Sequence, residues 1–280
     1  VTIHRRMGDC HGPEFAMKPM KTMLSAMAGL AACGLTILGL ALLSSCGPDG
    51  ATKDAGNFHG VTFYRGNAAE PETLDPSLAQ GNYEDNIMGD LMIGLMTYDA
   101  HAQPIPGIAT SWTTSPDGLT WTFKLRDAQW SDGTPVTADD FIFSWQRILD
   151  PKTAAQYAYF LYVLKNAKAI NSGKLPLSAL GARAVDAHTI EITLEHPAPY
   201  LLQMLAHMTM YPEPRHVVEA KGIAWTKPGN YVSDGAYKLT EWVPGDHITL
   251  VKNPLFYDAA NVKVDRVIFY PTIDYGAALR

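Results

Sequence analysis

From Leu119 to Arg126 the chain alternates without a break over eight residues, with Leu119, Trp121, Phe123 and Leu125 on one side and Thr120, Thr122, Lys124 and Arg126 on the other. That period of two predicts a strand with one buried face. The preceding "SPDG", Ser115 to Gly118, is a turn signature, because Pro116 presets φ and Gly118 tolerates a positive one. A hairpin with "IATSWTT" (108–114) follows. Thr137 stands three residues before Asp140, so its hydroxyl is placed to cap free amides, while Asp139 and Asp140 complement the helix dipole. Phe141, Trp145, Ile148 and Leu149 then recur at helical spacing, and the helix must stop at Asp150-Pro151, since a proline ring excludes the helical conformation of the residue before it.

The same reading extends along the chain. "VTFYRG" (61–66) is β-rich, and the two prolines of "EPETLDPSLA" (70–79) predict an extended loop. Ile87, Met88, Leu91, Met92 and Leu95 predict a helix that stops near Tyr98. "TIEITLE" (189–195) alternates like a strand, "PYLLQMLAHM" (199–208) reads as a short apolar helix, and residues 235–253 read as two strands around the turn Val243 to Asp246. The segment from Val264 to Pro271, apolar but for Asp265 and Arg266, suits a strand buried on both faces. The sum is a mixed α/β fold with antiparallel additions. No internal repeat or low-complexity tract is present.

The amino terminus changes the picture. Lys18 and Lys21 precede an uncharged stretch from Leu24 to Leu43, and "LSSC" (43–46), Gly47 and Pro48 follow. This is the layout of a secretory signal. "LSSC" resembles a bacterial lipobox, which implies cleavage before Cys46, acylation of that cysteine and a lipid tether outside the cytoplasmic membrane. An uncleaved anchor helix has the same length and stays the alternative. Val1 to Ala16 has no role in either reading and suggests a misplaced start. Residues 47–60, rich in Gly, Ala, Asp, Lys and Asn, read as a flexible tether. Of the three cysteines, Cys10 and Cys33 precede the expected cleavage, so no disulfide is expected in the mature chain.

Composition narrows the chemistry. At 280 residues and 47% hydrophobic content the chain can fill one large core or two smaller ones. Its formal net charge is -6, and more negative without the first 45 residues, which speaks against a nucleic-acid partner. The chain contains no G-x-S-x-G, H-E-x-x-H, C-x-x-C, G-x-x-x-x-G-K or G-x-G-x-x-G motif. The nine histidines are scattered, and His207 and His216 lack metal-ligand spacing, so solvated or hydrogen-bonded roles are expected. Glu84-Asp85 and Asp139-Asp140 are adjacent and point apart. No catalytic residue, metal ligand or cofactor is therefore expected. Trp121 and Trp145 lie on apolar faces and belong to the core, whereas Tyr157, Tyr159 and Tyr162 are candidates to line a ligand cleft.

"EPETLDPSLA", "GIATSWTTSPDGLTWTFKLRDAQWSDGTPVTADDFIFSWQRILDP" and "SDGAYKLTEWVPGDHITLVKNPLFYD", in that order between Val61 and Tyr270, resemble the extracytoplasmic solute-binding proteins of oligopeptide ABC importers. The resemblance implies a type II periplasmic-binding-protein-like bilobed fold with an extra β-rich subdomain. It implies residues 1–45 as signal and upstream extension, 46–60 as acylated cysteine and tether, 61–92 as the first segment of lobe I, 93–212 as the inserted subdomain and 213–280 as the return into lobe I. Family members run well past the point matching Arg280, so the resemblance implies a chain with the amino-terminal part only, either a fragment or one half of a two-chain protein. The absent lobe carries the acidic residue that fixes the peptide's α-amino group.

The resemblance also implies a site. The segment after "LDP" approaches the peptide main chain in the oligopeptide branch, and here it reads Gln80, Gly81, Asn82 and Tyr83; Gln80 stands where the family often has an acidic residue. Tyr157 matches a pocket aromatic. Asp234 replaces the asparagine of the family's "NGAY". The implied partners are peptides, a permease with its ATPase subunits, and the membrane through the lipid anchor; the implied location is the periplasm or cell surface. A surface-anchored hydrolase, a scaffold using the same fold, or a family member binding a sugar, opine or metal chelate are the alternatives.

Overall fold

The structure, a computed structural model, describes residues 59–272. The expected signal, Cys46 and all but the last two residues of the tether lie outside the described residues.

The chain enters on β1 (Thr62–Gly66), continues through α1 (Asn82–Leu91), and forms a short ribbon from β2 (Met96–Tyr98) and β3 (Pro104–Pro106). The hairpin β4 (Ala109–Thr114) and β5 (Thr120–Leu125) leads to α2 (Ala138–Leu149), then α3 (Ala167–Asn171) and a second hairpin, β6 (Ala182–Asp186) and β7 (Thr189–Thr193). Two short helices follow, α4 (Leu201–Met204) and α5 (Arg215–Lys221), before β8 (Tyr237–Val243), β9 (His247–Lys252) and β10 (Arg266–Tyr270). One four-stranded sheet has the order β1-β10-β9-β8, and the other has the order β4-β5-β7-β6. β1 and β10 pair in parallel, with Phe63 opposite Val267, although nearly the whole described chain runs between them. All pairings in the second sheet are antiparallel.

Local patterning accounts for the second sheet. Phe123 and Leu125 are buried and Lys124 is exposed, as the alternation of β5 requires. Gly118 takes φ +72° in the turn between β4 and β5. α2 buries Phe141, Trp145, Ile148 and Leu149 and packs against β6. At its start the Asp140 carboxylate reaches back and accepts from the Thr137 amide at 2.8 Å and from the Thr137 hydroxyl at 3.1 Å, so Asp140 does more of the capping than the Thr137 hydroxyl. Trp145 is fully buried, while Trp121 is half-buried and stacks on Phe123 at 6.2 Å.

Three expectations are corrected. The helix expected to end near Tyr98 ends at Leu91, and Met92 is extended at φ -135° and ψ 158°. Tertiary bonds take over there: the Gly235 amide donates to the Leu91 carbonyl at 2.9 Å, and the Ile93 amide to Asp234 Oδ1 at 3.2 Å. The apolar period continues past Leu91 because Leu95 and Met96 stay in the core through a strand. Second, β10 is not buried on both faces. Val267 and Phe269 are buried, but Arg266, Ile268 and Tyr270 are half-exposed, because packing covers only one face of this sheet completely. Third, the helix expected over 199–208 is confined to Leu201–Met204. His207 adopts an extended conformation, and its Nδ1 accepts from the Thr209 amide at 3.2 Å, which starts a 3-10 turn at Met208–Met210 instead.

The crossing at Gly235 is tight. A Cβ added there would meet the Leu91 carbonyl carbon at 2.5 Å and the Met92 nitrogen at 2.6 Å, backbone atoms that cannot yield. Gly235→Ala is expected to cost about 1–3 kcal/mol through this overpacking, read as a lower urea midpoint with an unchanged denaturant slope.

Candidate functional site

The loop 70–79 is held by a buried charge cluster. Arg147, from α2, places Nη1 2.7 Å from Asp75 Oδ1 and Nη2 2.7 Å from Oδ2, and Nη1 also donates to both Glu213 oxygens at 3.0 Å. Trp225 Nε1 donates to Asp75 Oδ2 at 3.0 Å, and the Ser77 amide to Oδ1 at 3.0 Å. The Ser77 hydroxyl donates to Glu213, and the Tyr231 hydroxyl to the Leu74 carbonyl. One guanidinium thus answers two carboxylates. Burial works against the Arg147 charge, but its hydrogen bonds to Asp75 and the field of both acids outweigh it and hold its pKa above the ordinary value. Burial, followed by repulsion from Asp75, pushes Glu213 upward against the pull of Arg147. Planar bidentate pairing of this kind fixes direction as well as distance.

The fixed loop delivers the chain to the start of α1. Gly81 occupies the N-cap position in an extended conformation, and no side chain caps the helix. Its first amides therefore lack helical acceptors and sit at the positive end of the helix dipole. Gln80, Asn82 and Tyr83 are exposed around them. Glu84 turns inward beneath Gly81, is buried, and accepts from the Glu72 amide at 2.8 Å. Its neighbour Asp85 lies on another side of the helix and stays accessible to solvent, although the residues around its carboxyl partly desolvate it.

A group of rings lies near this helix end. Tyr157 is half-buried, 5.6 Å from the Tyr159 ring and 6.4 Å from the His207 ring, and Phe160 is 4.6 Å from His207. α1 packs against Met208–Met210, immediately after His207. The electrostatics connect the two sides. Burial lowers the His207 pKa while Asp85 pulls it back, and burial raises the Asp85 pKa while His207 opposes it. Asp85 and His207 thus lie within each other's field, and no ring contact links Tyr83 with Tyr157 among the described residues. Tyr162 is not on the shelf. Its hydroxyl donates to Asn171 Oδ1 at 2.8 Å, which makes it scaffold.

Sequence reading missed Asp85 and His207 as site residues. The first appeared only as half of a carboxylate pair, and the second only as one scattered histidine. His216 accounts for its own ring by pairing with Asp132 at 2.7 Å. Among the described residues no group of three or more His, Cys, Asp or Glu side chains could hold a metal ion, and no helix is long and apolar enough to cross a membrane. A cavity of about 430 Å³ lined by Asp127, Ala128, His188, Leu255 and Tyr257, among others, includes none of the expected site residues.

Comparison with known proteins gives this arrangement a context. The profile of bacterial extracellular solute-binding proteins, family 5 Middle, matches residues 103–280. The chain belongs to this family. Proteins similar to it include the periplasmic oligopeptide-binding protein OppA of Escherichia coli, 43% identical over 213 residues that make up 75% of this chain and 39% of the relative. The probable deoxycholate-binding periplasmic protein YgiS of Escherichia coli is 41% identical over 208 residues, 73% of this chain and 39% of the relative. Among solved structures, Haemophilus influenzae OppA in complex with RPPGFSPFR superposes with a TM-score of 0.77 at 37% identity, covering 79% of this chain and 44% of that one. The chain thus spans about two fifths of the length of these relatives. Over that part the fold is the α/β fold of the oligopeptide-type periplasmic binding proteins, as the three quoted motifs implied.

Proposed function

We propose that this chain supplies one wall of the ligand cleft in the extracytoplasmic binding component of an ABC-type peptide importer, anchored by lipid at Cys46 and delivering peptide to a membrane permease. In this reading 61–92 and 213–280 belong to one lobe and 93–212 forms the inserted β-rich subdomain; the pairing of β1 with β10 across the insertion supports that division. The observation that carries the proposal is the uncapped start of α1, held in place by the Asp75–Arg147–Glu213 cluster and flanked by Tyr157 and His207. Exposed helix-start amides are donors for the carbonyls of an extended peptide, and main-chain bonding reads no side chains, which gives broad specificity. The aromatic shelf offers sequence-tolerant apolar contact. Binding and release, rather than catalysis, is the task, in keeping with relatives that are solute-binding proteins.

Tyr157→Ala is expected to weaken binding of a tri- to pentapeptide pool roughly tenfold while leaving the unfolding midpoint nearly unchanged, because loss of a half-buried aromatic contact costs binding on the order of 1–2 kcal/mol. Titration calorimetry beside a thermal melt separates the two effects. A second reading, a non-peptide solute, is favoured by one observation: a relative 41% identical to this chain is named as a probable deoxycholate-binding protein. In that case the same shelf would hold an amphipathic ring system, and a bile acid would displace peptide competitively.

A further inference from the structure

Asp234 lies where two connecting segments cross, one leaving α1 through Met92 and Ile93, the other entering β8 through Gly235 and Ala236. The residue is 1% exposed. Oδ1 accepts from the Ile93 amide at 3.2 Å, and Oδ2 is buried with no hydrogen-bond partner among the described residues. The backbone on either side of it is tied down. The Gly235 amide donates to Leu91 at 2.9 Å, a Cβ at Gly235 would collide with backbone, and Ser233 is tied to Ser131 by two bonds, at 2.7 Å and 3.1 Å.

The ionisable group whose field raises the pKa of this carboxyl is Asp140 at the start of α2, while the phenols of Tyr211, Tyr231 and Tyr257 feel the field of Asp234 in turn; the guanidinium of Arg126 stacks on the Tyr257 ring at 3.9 Å and forms no ion pair with Asp234. A buried carboxylate held only by backbone amides, with one oxygen unbonded and no ion-pair partner, is the costliest state this group could take. A neutral carboxylic acid in the same place forfeits only the bond its second oxygen fails to make. We propose that Asp234 is held as a protonated, uncharged acid under neutral conditions, so that the crossing between α1 and β8 is a proton-dependent joint that loosens when the acid ionises. The inference stands apart from the ligand reading and does not depend on it.

Burial pushes the Asp234 pKa well above the usual carboxylate range in the folded chain, against the pull of the Ile93 amide and its own amide and with a last, smaller push from Asp140. The sign follows: a raised folded pKa contributes stability that is complete below the unfolded value, about 3.9, and that is lost as pH rises through the folded value. The test is denaturant unfolding of the full chain across the range from acid to mildly alkaline, in the wild type and in Asp234→Asn. The amide keeps the shape and cannot ionise. The expected result is that the variant lacks most of the wild-type decline, so that above neutrality its folded-to-unfolded ratio exceeds the wild type's by roughly tenfold or more, since each pKa unit is a factor of ten. Parallel profiles, with the variant less stable at every pH, would overturn the proposal. Should the variant fail to fold, the wild-type Asp234 Cγ resonance, assigned through its own Cβ, decides: a chemical shift of the protonated form at neutral pH supports the proposal, and titration in the ordinary carboxylate range overturns it.

Discussion

Arg147→Met is expected to lower stability by about 3–5 kcal/mol at neutral pH, the typical cost of removing one partner from a buried ion cluster. The side chains involved are little exposed, 4% for Asp75 and 0% for Glu213, so water cannot replace the lost guanidinium. The loss is pH-dependent with a defined sign. Glu213 already binds its proton more tightly in the folded chain than an ordinary glutamate, because of burial and then Asp75. Without Arg147 its folded pKa rises further, so the penalty is largest above the folded value and shrinks as pH falls toward about 4, where carboxyls are protonated in both states. Urea midpoints measured across pH read this directly. Adding Asp75→Asn and Glu213→Gln to Arg147→Met should recover much of the loss, because a cluster emptied of charge no longer carries an uncompensated one. Equal losses at about pH 4 and about pH 8, on either side of the carboxylate range, would sink the electrostatic account.

The second large effect belongs to Trp145→Ala, expected to cost about 3–5 kcal/mol, as for other fully buried aromatic side chains. Trp145 is 0% exposed, packs edge-on to Phe141 at 6.0 Å, and donates from Nε1 to the Met210 carbonyl at 3.1 Å. Truncation therefore opens a cavity and strips a buried carbonyl of its partner. The neighbouring bond from Ser144 Oγ to the Tyr211 carbonyl at 2.7 Å remains, so the damage should centre on 208–210, next to the His207 ring. Hydrogen exchange should accelerate there before it does in β5 and β7. Trp121→Ala, at a half-buried position on the adjoining sheet, should cost clearly less.

Wherever a short segment carried its own physics, the fold was legible in the sequence. β5, its turn at Gly118, and α2 with its stop at Asp150 follow from alternation, a positive φ and a proline, all within a few residues. α1 was harder. Its apolar period runs on past Leu91, and only the arrival of Asp234 and Gly235 from the far end of the chain ends it. Nor was β10 legible, because an apolar run does not state how many faces will be covered. The charge cluster lay out of reach for the same reason, since Arg147 is separated from Asp75 by 72 residues and from Glu213 by 66. At the candidate site, Gln80 to Tyr83 and Tyr157 came from resemblance to a family, while Asp85 and His207 needed the fold that packs α1 against Met208–Met210. Tyr162 shows the limit of reading aromatics by type: it shares a segment with Tyr157 and Tyr159 yet serves the scaffold through Asn171.

The most direct test of the central claim is a heteronuclear NMR titration of the chain with a tri- to pentapeptide pool, recording the backbone amides of residues 80–83 and the rings of Tyr157 and His207. The account predicts saturable shifts concentrated on those residues, even if affinity is only millimolar, and their loss in Tyr157→Ala. Saturable shifts confined to other surfaces, such as the cavity between His188 and Tyr257, or no shifts at all at saturating peptide, would contradict it.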